Sequence, residues 1–119
     1  MLKDLFLEGF RMPGEWEKQK SVWIVWPYNE KDWPDLFDKI PEVVSKIVCN
    51  LSINQTVNLI IRTNKDKVRI KLELKKFKNN LSKIKFHLIL TNRIWIRDSG
   101  PLFLINNKKR KKIILNFRF

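Results

Sequence analysis

A chain of 119 residues with 44% hydrophobic side chains, five of them tryptophan, has the length of one ordinary domain and enough apolar surface to build a core. Its three glycines and five prolines exclude a fibrous or low-complexity chain, and no apolar run reaches the roughly 18 residues of a membrane span. The net charge of +13 raises a nucleic-acid or anionic-surface partner, but lysine outnumbers arginine 18 to 7 in a chain also rich in Asn and Ile, so a biased codon composition suffices to explain it.

Charges at Lys3, Asp4 and Glu8 interrupt the start before a signal-peptide core can form, and the single cysteine, Cys49, excludes an internal disulfide. A cytoplasmic location follows as the expectation, with the sequons at Asn50, Asn54 and Asn80 incidental. The first clear element is Ser21 to Trp26, a β-branched and aromatic run closed by Pro27, which reads as a buried strand.

From Ile40 to Leu51 the apolar residues Ile40, Val43, Val44, Ile47, Val48 and Leu51 share one helical face, and Pro41 suits the first turn. Cys49 falls about 180° from Ile40 on that wheel and is expected to face away from the stripe, with no local base or cation to make it a nucleophile. Val57 to Ile61 reads as a second buried strand. The next segment alternates as a strand would, yet Ile70, Leu74, Phe77 and Leu81 also line a helix, and Thr63 three residues before Asp66 is a helix-start signature, so helix is chosen.

Ile84 to Leu90 reads as a third strand, and Pro101 to Ile105 with Lys112 to Phe117 bracket the polar turn 106–111 as a hairpin. Strand, helix, strand, helix, strand, hairpin is the order of an α/β domain with covered, buried strands.

Two clusters concentrate residues suited to chemistry: Arg11-Met12-Pro13-Gly14-Glu15-Trp16-Glu17 with Trp23 to Pro27 and Asp32-Trp33-Pro34, and Thr91-Asn92-Arg93-Ile94-Trp95-Ile96-Arg97-Asp98-Ser99-Gly100-Pro101. In the second, Gly100 can take positive φ and Pro101 fixes the following residue, which suits a tight turn at a strand end. Asp98, three residues after Trp95, offers a carboxylate beside an aromatic face, a pairing that suits a planar cation such as a guanidinium. The plainer alternative is that Asp98 pairs with Arg97 or caps a turn.

Together these clusters resemble the agmatine deiminases and the related bacterial peptidylarginine deiminases, whose chains carry a Met-Pro-x-Glu-Trp-Glu segment, a Trp-x-x-Trp-Pro strand and a Thr-Asn-x-x-Trp-x-Arg-Asp-x-Gly-Pro loop. The likeness spans Gly9 to Phe119. It implies a pentein, an α/β propeller of five modules around a substrate funnel, of which residues 1–119 are a single incomplete N-terminal portion, the first module and part of the next. It also implies hydrolysis of agmatine to N-carbamoylputrescine and ammonia, a step of putrescine biosynthesis. In that family a cysteine thiolate attacks the guanidinium carbon, a histidine helps expel ammonia, and water hydrolyses the covalent amidino-thioether.

Carried over residue by residue, Asp98 matches the first guanidinium-binding acid and Trp95 the tryptophan beside it, with Arg97 and Gly100 shaping the loop. The second acid, the histidine and the cysteine are expected downstream of Phe119, so the chain by itself is expected to be inactive. His87 and Cys49 match neither catalytic group. Arg93, Ile94 and Ser99 depart from the residues common at those positions. No cofactor or metal is expected, the partner is a small guanidine substrate rather than a membrane or nucleic acid, and the whole protein is expected to be a homo-oligomer. Two rivals stand: a basic RNA- or anion-binding module built on Lys108 to Lys112 and the face from Lys65 to Lys85, or a deiminase of peptidyl-arginine or free arginine. Cut from its neighbours, such a module is expected to expose apolar edges and to be poorly soluble or self-associating.

Overall fold

A computed structural model describes residues 2–77 and 81–116, so the sequon at Asn80 and the expected strand end at Phe117 lie outside the described residues. The chain forms two compact units, residues 19–96 and residues 1–18 with 97–119.

The first unit is a parallel α/β layer. Strands β1 (Ser21–Val25), β2 (Thr56–Ile61) and β3 (Ile84–Leu88) pair in that order, with Val22 opposite Val57 and Val57 opposite Ile84. Helices α2 (Ile40–Asn54) and α3 (Asn64–Lys75) make the two crossovers that parallel pairing requires. The central strand β2 is buried from Val57 to Ile61, which is why its sequence is a nearly continuous apolar run.

Helix α3 starts where the sequence signals it. The Thr63 side chain accepts from the Asp66 N–H and the Asp66 side chain accepts from the Thr63 N–H, a complete capping box. Its buried residues Ile70 and Leu74 lie on the expected face, but the helix ends at Lys75, so Phe77 and Leu81 pack against the same core from beyond it; Val68 and Leu72 point outward and settle the ambiguity against a strand.

Helix α2 corrects the expectation for its cysteine. Its buried residues are Ser45, Val48, Cys49 and Ser52, with Val44 and Leu51 partly buried, while Val43 and Ile47 are exposed. The buried face is therefore turned roughly a third of a revolution from the apolar stripe. Small side chains at 45, 49 and 52 let the helix approach the sheet closely, and Cys49 lies in the core as a small hydrophobe.

Val57, Leu59 and Ile61 face the helices in that core. On the opposite side of the sheet His87, on the edge strand β3, meets Asn58 at 2.9 Å through Nε2, and its ring lies 4.7 Å from that of Trp23.

The second unit joins helix α1 (Leu2–Leu7), which the sequence reading did not anticipate, to the antiparallel hairpin β4 (Leu102–Asn106) and β5 (Lys111–Leu115). Arg11 bridges to Ile105 through reciprocal backbone bonds of 2.9 and 2.8 Å. Asn106, expected in the turn, is instead the buried last residue of β4, because its amide donates to the Glu8 carbonyl at 2.8 Å and accepts from the Lys109 N–H at 2.9 Å. Among the described residues no helix is long and apolar enough to cross a membrane.

Candidate functional site

In parallel α/β sheets, ligands gather where loops leave the carboxyl ends of the strands. Here three segments leave that end: residues 26–39 after β1, Arg62 and Thr63 after β2, and residues 89–95 after β3. Tyr28 Oη donates to the Thr91 carbonyl at 2.7 Å and so ties the first segment to the third. The Arg62 guanidinium stacks 4.5 Å over the Tyr28 ring.

Trp95 lies next to the last residue of this unit in a half-exposed position, 56% accessible. Its indole lies 6.1 Å from that of Trp33 at 51°, and Trp33 lies 6.1 Å from Phe37 at 41°, tilted pairings of the kind aromatic quadrupoles favour. The side chain of Arg93 reaches back to Asp32, Nη1 to Oδ1 at 3.7 Å. A cavity of about 500 Å³ opens beside these segments, lined by Trp26, Tyr28, Phe37, Arg62 and Arg69 among others, within the size range of small-molecule sites.

Asp98 belongs to the other unit, on the one-turn helix α4 (Ile96–Ser99) at whose first residue the two units divide. It is exposed, and among the described residues it makes no hydrogen bond or ion pair. The local pairing with Arg97 does not form, because Arg97 Nη2 donates to Glu15 Oε1 instead. Gly100 differs from the expected geometry: among the described residues the glycine with positive φ is Gly9, at 84°, and the chain turns before Pro101 through the helical turn of α4.

The other motif, residues 11–17, folds on itself in the same unit as Asp98. The Arg11 guanidinium holds Glu17 through two bonds of 2.5 and 2.8 Å, and the Gly14 N–H donates to the same carboxylate at 2.7 Å. Those donors lower the Glu17 carboxyl to about 2, the Arg11 hydrogen bond first and the Gly14 N–H second, and the carboxylate in turn raises Arg11. A Cβ on Gly14 would stand 2.7 Å from the ring of the exposed Trp16, which would have to shift to admit a side chain there.

Among the described residues no cluster of three or more His, Cys, Asp or Glu is placed to hold a metal. The pairings Trp33 with Trp95 and Asp32 with Arg93 escaped the sequence reading. Their only sequence signal was that both motifs leave the same end of a parallel sheet.

The profile of the Porphyromonas-type peptidyl-arginine deiminases matches residues 11–119. An agmatine deiminase of Pseudomonas syringae pv. syringae is 29% identical over 103 residues, which is 85% of this chain and 26% of that protein. The agmatine deiminase of Enterococcus faecalis, solved catalysing its reaction, superposes with a TM-score of 0.73 at 26% identity, covering 92% of this chain and 28% of its own. A C. jejuni agmatine deiminase superposes at 0.71 with 24% identity, covering 92% and 32%. The chain thus spans about a quarter of the length of the curated relatives it matches.

Proposed function

The chain belongs to the Porphyromonas-type peptidyl-arginine deiminase family, and from that premise we propose that residues 1–119 are the N-terminal portion of a pentein-type deiminase domain acting on agmatine. The reaction yields N-carbamoylputrescine and ammonia, toward putrescine, in the cytoplasm and without a cofactor. Agmatine rather than peptidyl-arginine is favoured because the curated Pseudomonas relatives, which match over 85% of this chain, are agmatine deiminases, although a candidate peptidyl-arginine deiminase also superposes over 92% of it, with a TM-score of 0.71.

Within that reaction Asp98 accepts two parallel N–H bonds from the guanidinium, and Trp95 supplies an aromatic wall. Both acts bind and orient the guanidinium carbon for attack. The observation that carries the assignment is that Asp98 is exposed and, among the described residues, unpaired, while its neighbour Arg97 is held by Glu15. The nucleophilic thiolate, the acid/base histidine and the second acid are assigned to sequence beyond Phe119. Cys49 is enclosed in the core and His87 is bonded to Asn58, which suits neither to those tasks.

The test is to express the coding sequence in one piece with whatever follows the Phe119 codon and to assay agmatine for ureido product. Turnover is expected from the extended polypeptide and none from the 119-residue chain. Asp98→Asn in the extended protein should lower kcat/KM by about 10- to 150-fold, the loss of a charge-assisted hydrogen-bond pair. Ureido product from the 119-residue chain alone, or an unchanged kcat/KM in the variant, overturns the assignment.

A further inference from the structure

The segment after β1 carries a carboxylate that the deiminase reading does not use. Asp32 closes a short 3-10 turn, Glu30–Asp32, and its side chain is 10% exposed. One oxygen, Oδ1, accepts from Asn29 Nδ2 at 3.2 Å and lies 3.7 Å from Arg93 Nη1. The other, Oδ2, is buried with no donor on it among the described residues, and Thr91, two residues before Arg93, has a buried Oγ1 in the same condition.

A carboxylate oxygen withdrawn from water without a donor gives up its hydration uncompensated. Arg93 does not repair this, since 3.7 Å is beyond hydrogen-bond reach and its side chain is 74% exposed, lying over the acid rather than locking onto it. Trp33 follows the acid directly in the chain, and its indole pairs with that of Trp95. Buried acid, aromatic faces and an unmet need for N–H donors are what recognises an organic cation. The chain already keeps one guanidinium, its own, at that spot.

We propose that Asp32, walled by Trp33 and Trp95, is a recognition point for an alkylguanidinium or alkylammonium group, and that Arg93 covers it as an internal cation which the incoming one displaces. Trp95 is the only residue shared with the guanidinium reading above, and the inference rests on that reading only through it. An occupant would donate to Oδ2 while its alkyl stem lies along the indoles. Arg93 raises the cost of entry and so selects for ligands that donate better than it does.

The test titrates agmatine and putrescine, with the uncharged N-butylurea as control, into the 119-residue chain while following heat and indole fluorescence. Arg93→Ala should tighten agmatine and putrescine at least tenfold over the unsubstituted chain and leave N-butylurea without measurable binding. Adding Asp32→Asn to Arg93→Ala should erase that gain. An unchanged affinity in Arg93→Ala, a gain that survives Asp32→Asn, or an equal gain for N-butylurea each overturns the inference. Should Asp32→Asn fail to fold by circular dichroism, the Arg93→Ala comparison and the urea control decide alone. Asp98→Asn in the same background separates the two readings: if it leaves the gain intact, the Asp32 point acts on its own, and its effect on basal affinity bears only on the assignment of Asp98.

Discussion

The unit of residues 19–96 encloses Val48, Val57, Leu59, Ile70 and Leu74 with no accessible surface, whereas the unit of residues 1–18 and 97–119 buries only Phe10 and Asn106 among its described residues. That second unit leaves Phe6, Leu7, Trp16, Leu102, Phe103 and Ile114 exposed. One unit is held by the removal of apolar surface from water, which is non-directional and large per residue. The other is held by directed polar ties: the Asn106 amide, the Arg11 to Ile105 bridge and the Arg11 to Glu17 pair. Cavities should therefore injure the first unit, while loss of a donor or a change of pH should injure the second.

The strongest test of that contrast is Ile70→Ala, which empties the contact of α3 with the sheet. Removing a fully buried side chain of this size costs about 2–5 kcal/mol, read as a lower midpoint in chemical denaturation followed by far-ultraviolet dichroism. A cost under about 1 kcal/mol would mean that this helix face carries little of the unit's stability. The matching test in the other unit is Asn106→Ala. It leaves the Glu8 carbonyl and the Lys109 N–H without their partner, a loss of about 1–3 kcal/mol, and should speed hydrogen exchange along β4 and β5 while leaving β2 protected. Equal acceleration in β2 would show that the two units do not respond separately.

The same contrast explains what could be read from sequence. Strand β2 and helix α3 were legible because burial by an apolar face follows periodicity, as at Val57 to Ile61 and at Ile70 and Leu74, and because the Thr63 and Asp66 cap is local. Helix α2 misled because its buried face is made by Ser45, Cys49 and Ser52, whose small size governs approach to the sheet and leaves no mark in an apolar pattern. Polar ties were least legible, since their partners lie far apart in sequence: Arg97 with Glu15, Asn106 with Glu8, Arg93 with Asp32. The candidate site divides the same way, with Trp95 and Asp98 named by their motif and the pairing of Trp33 with Trp95 visible only once the strands are aligned.

A smaller effect sharpens the point within the well-packed unit. Thr63→Ala removes the oxygen that accepts from the Asp66 N–H and should cost about 1 kcal/mol, the usual worth of an N-cap, with fraying confined to the first turn of α3. An effect as large as that of Ile70→Ala would mean that the cap, and not the core face, anchors this helix.

The smallest effect is a pH dependence confined to the other unit. Glu17 has a folded value of about 2 against an ordinary 4.5, so its contribution is fully present above about pH 4.5 and fades as pH falls toward 2. The pair is solvent-exposed, so the change is expected in local order of residues 11–17 rather than in the global midpoint. Trp16 reports it, because its ring packs close against Gly14 inside that turn. Acid titration should shift the Trp16 indole resonance over the window from about 4.5 to 2, while dichroism of the α/β unit holds constant. In Glu17→Gln the shift should vanish, since the amide neither titrates nor attracts the Arg11 guanidinium as a carboxylate does. A persistent shift in that variant would assign the acid response to another carboxylate, with Glu15, the partner of Arg97 in the same unit, the next to replace.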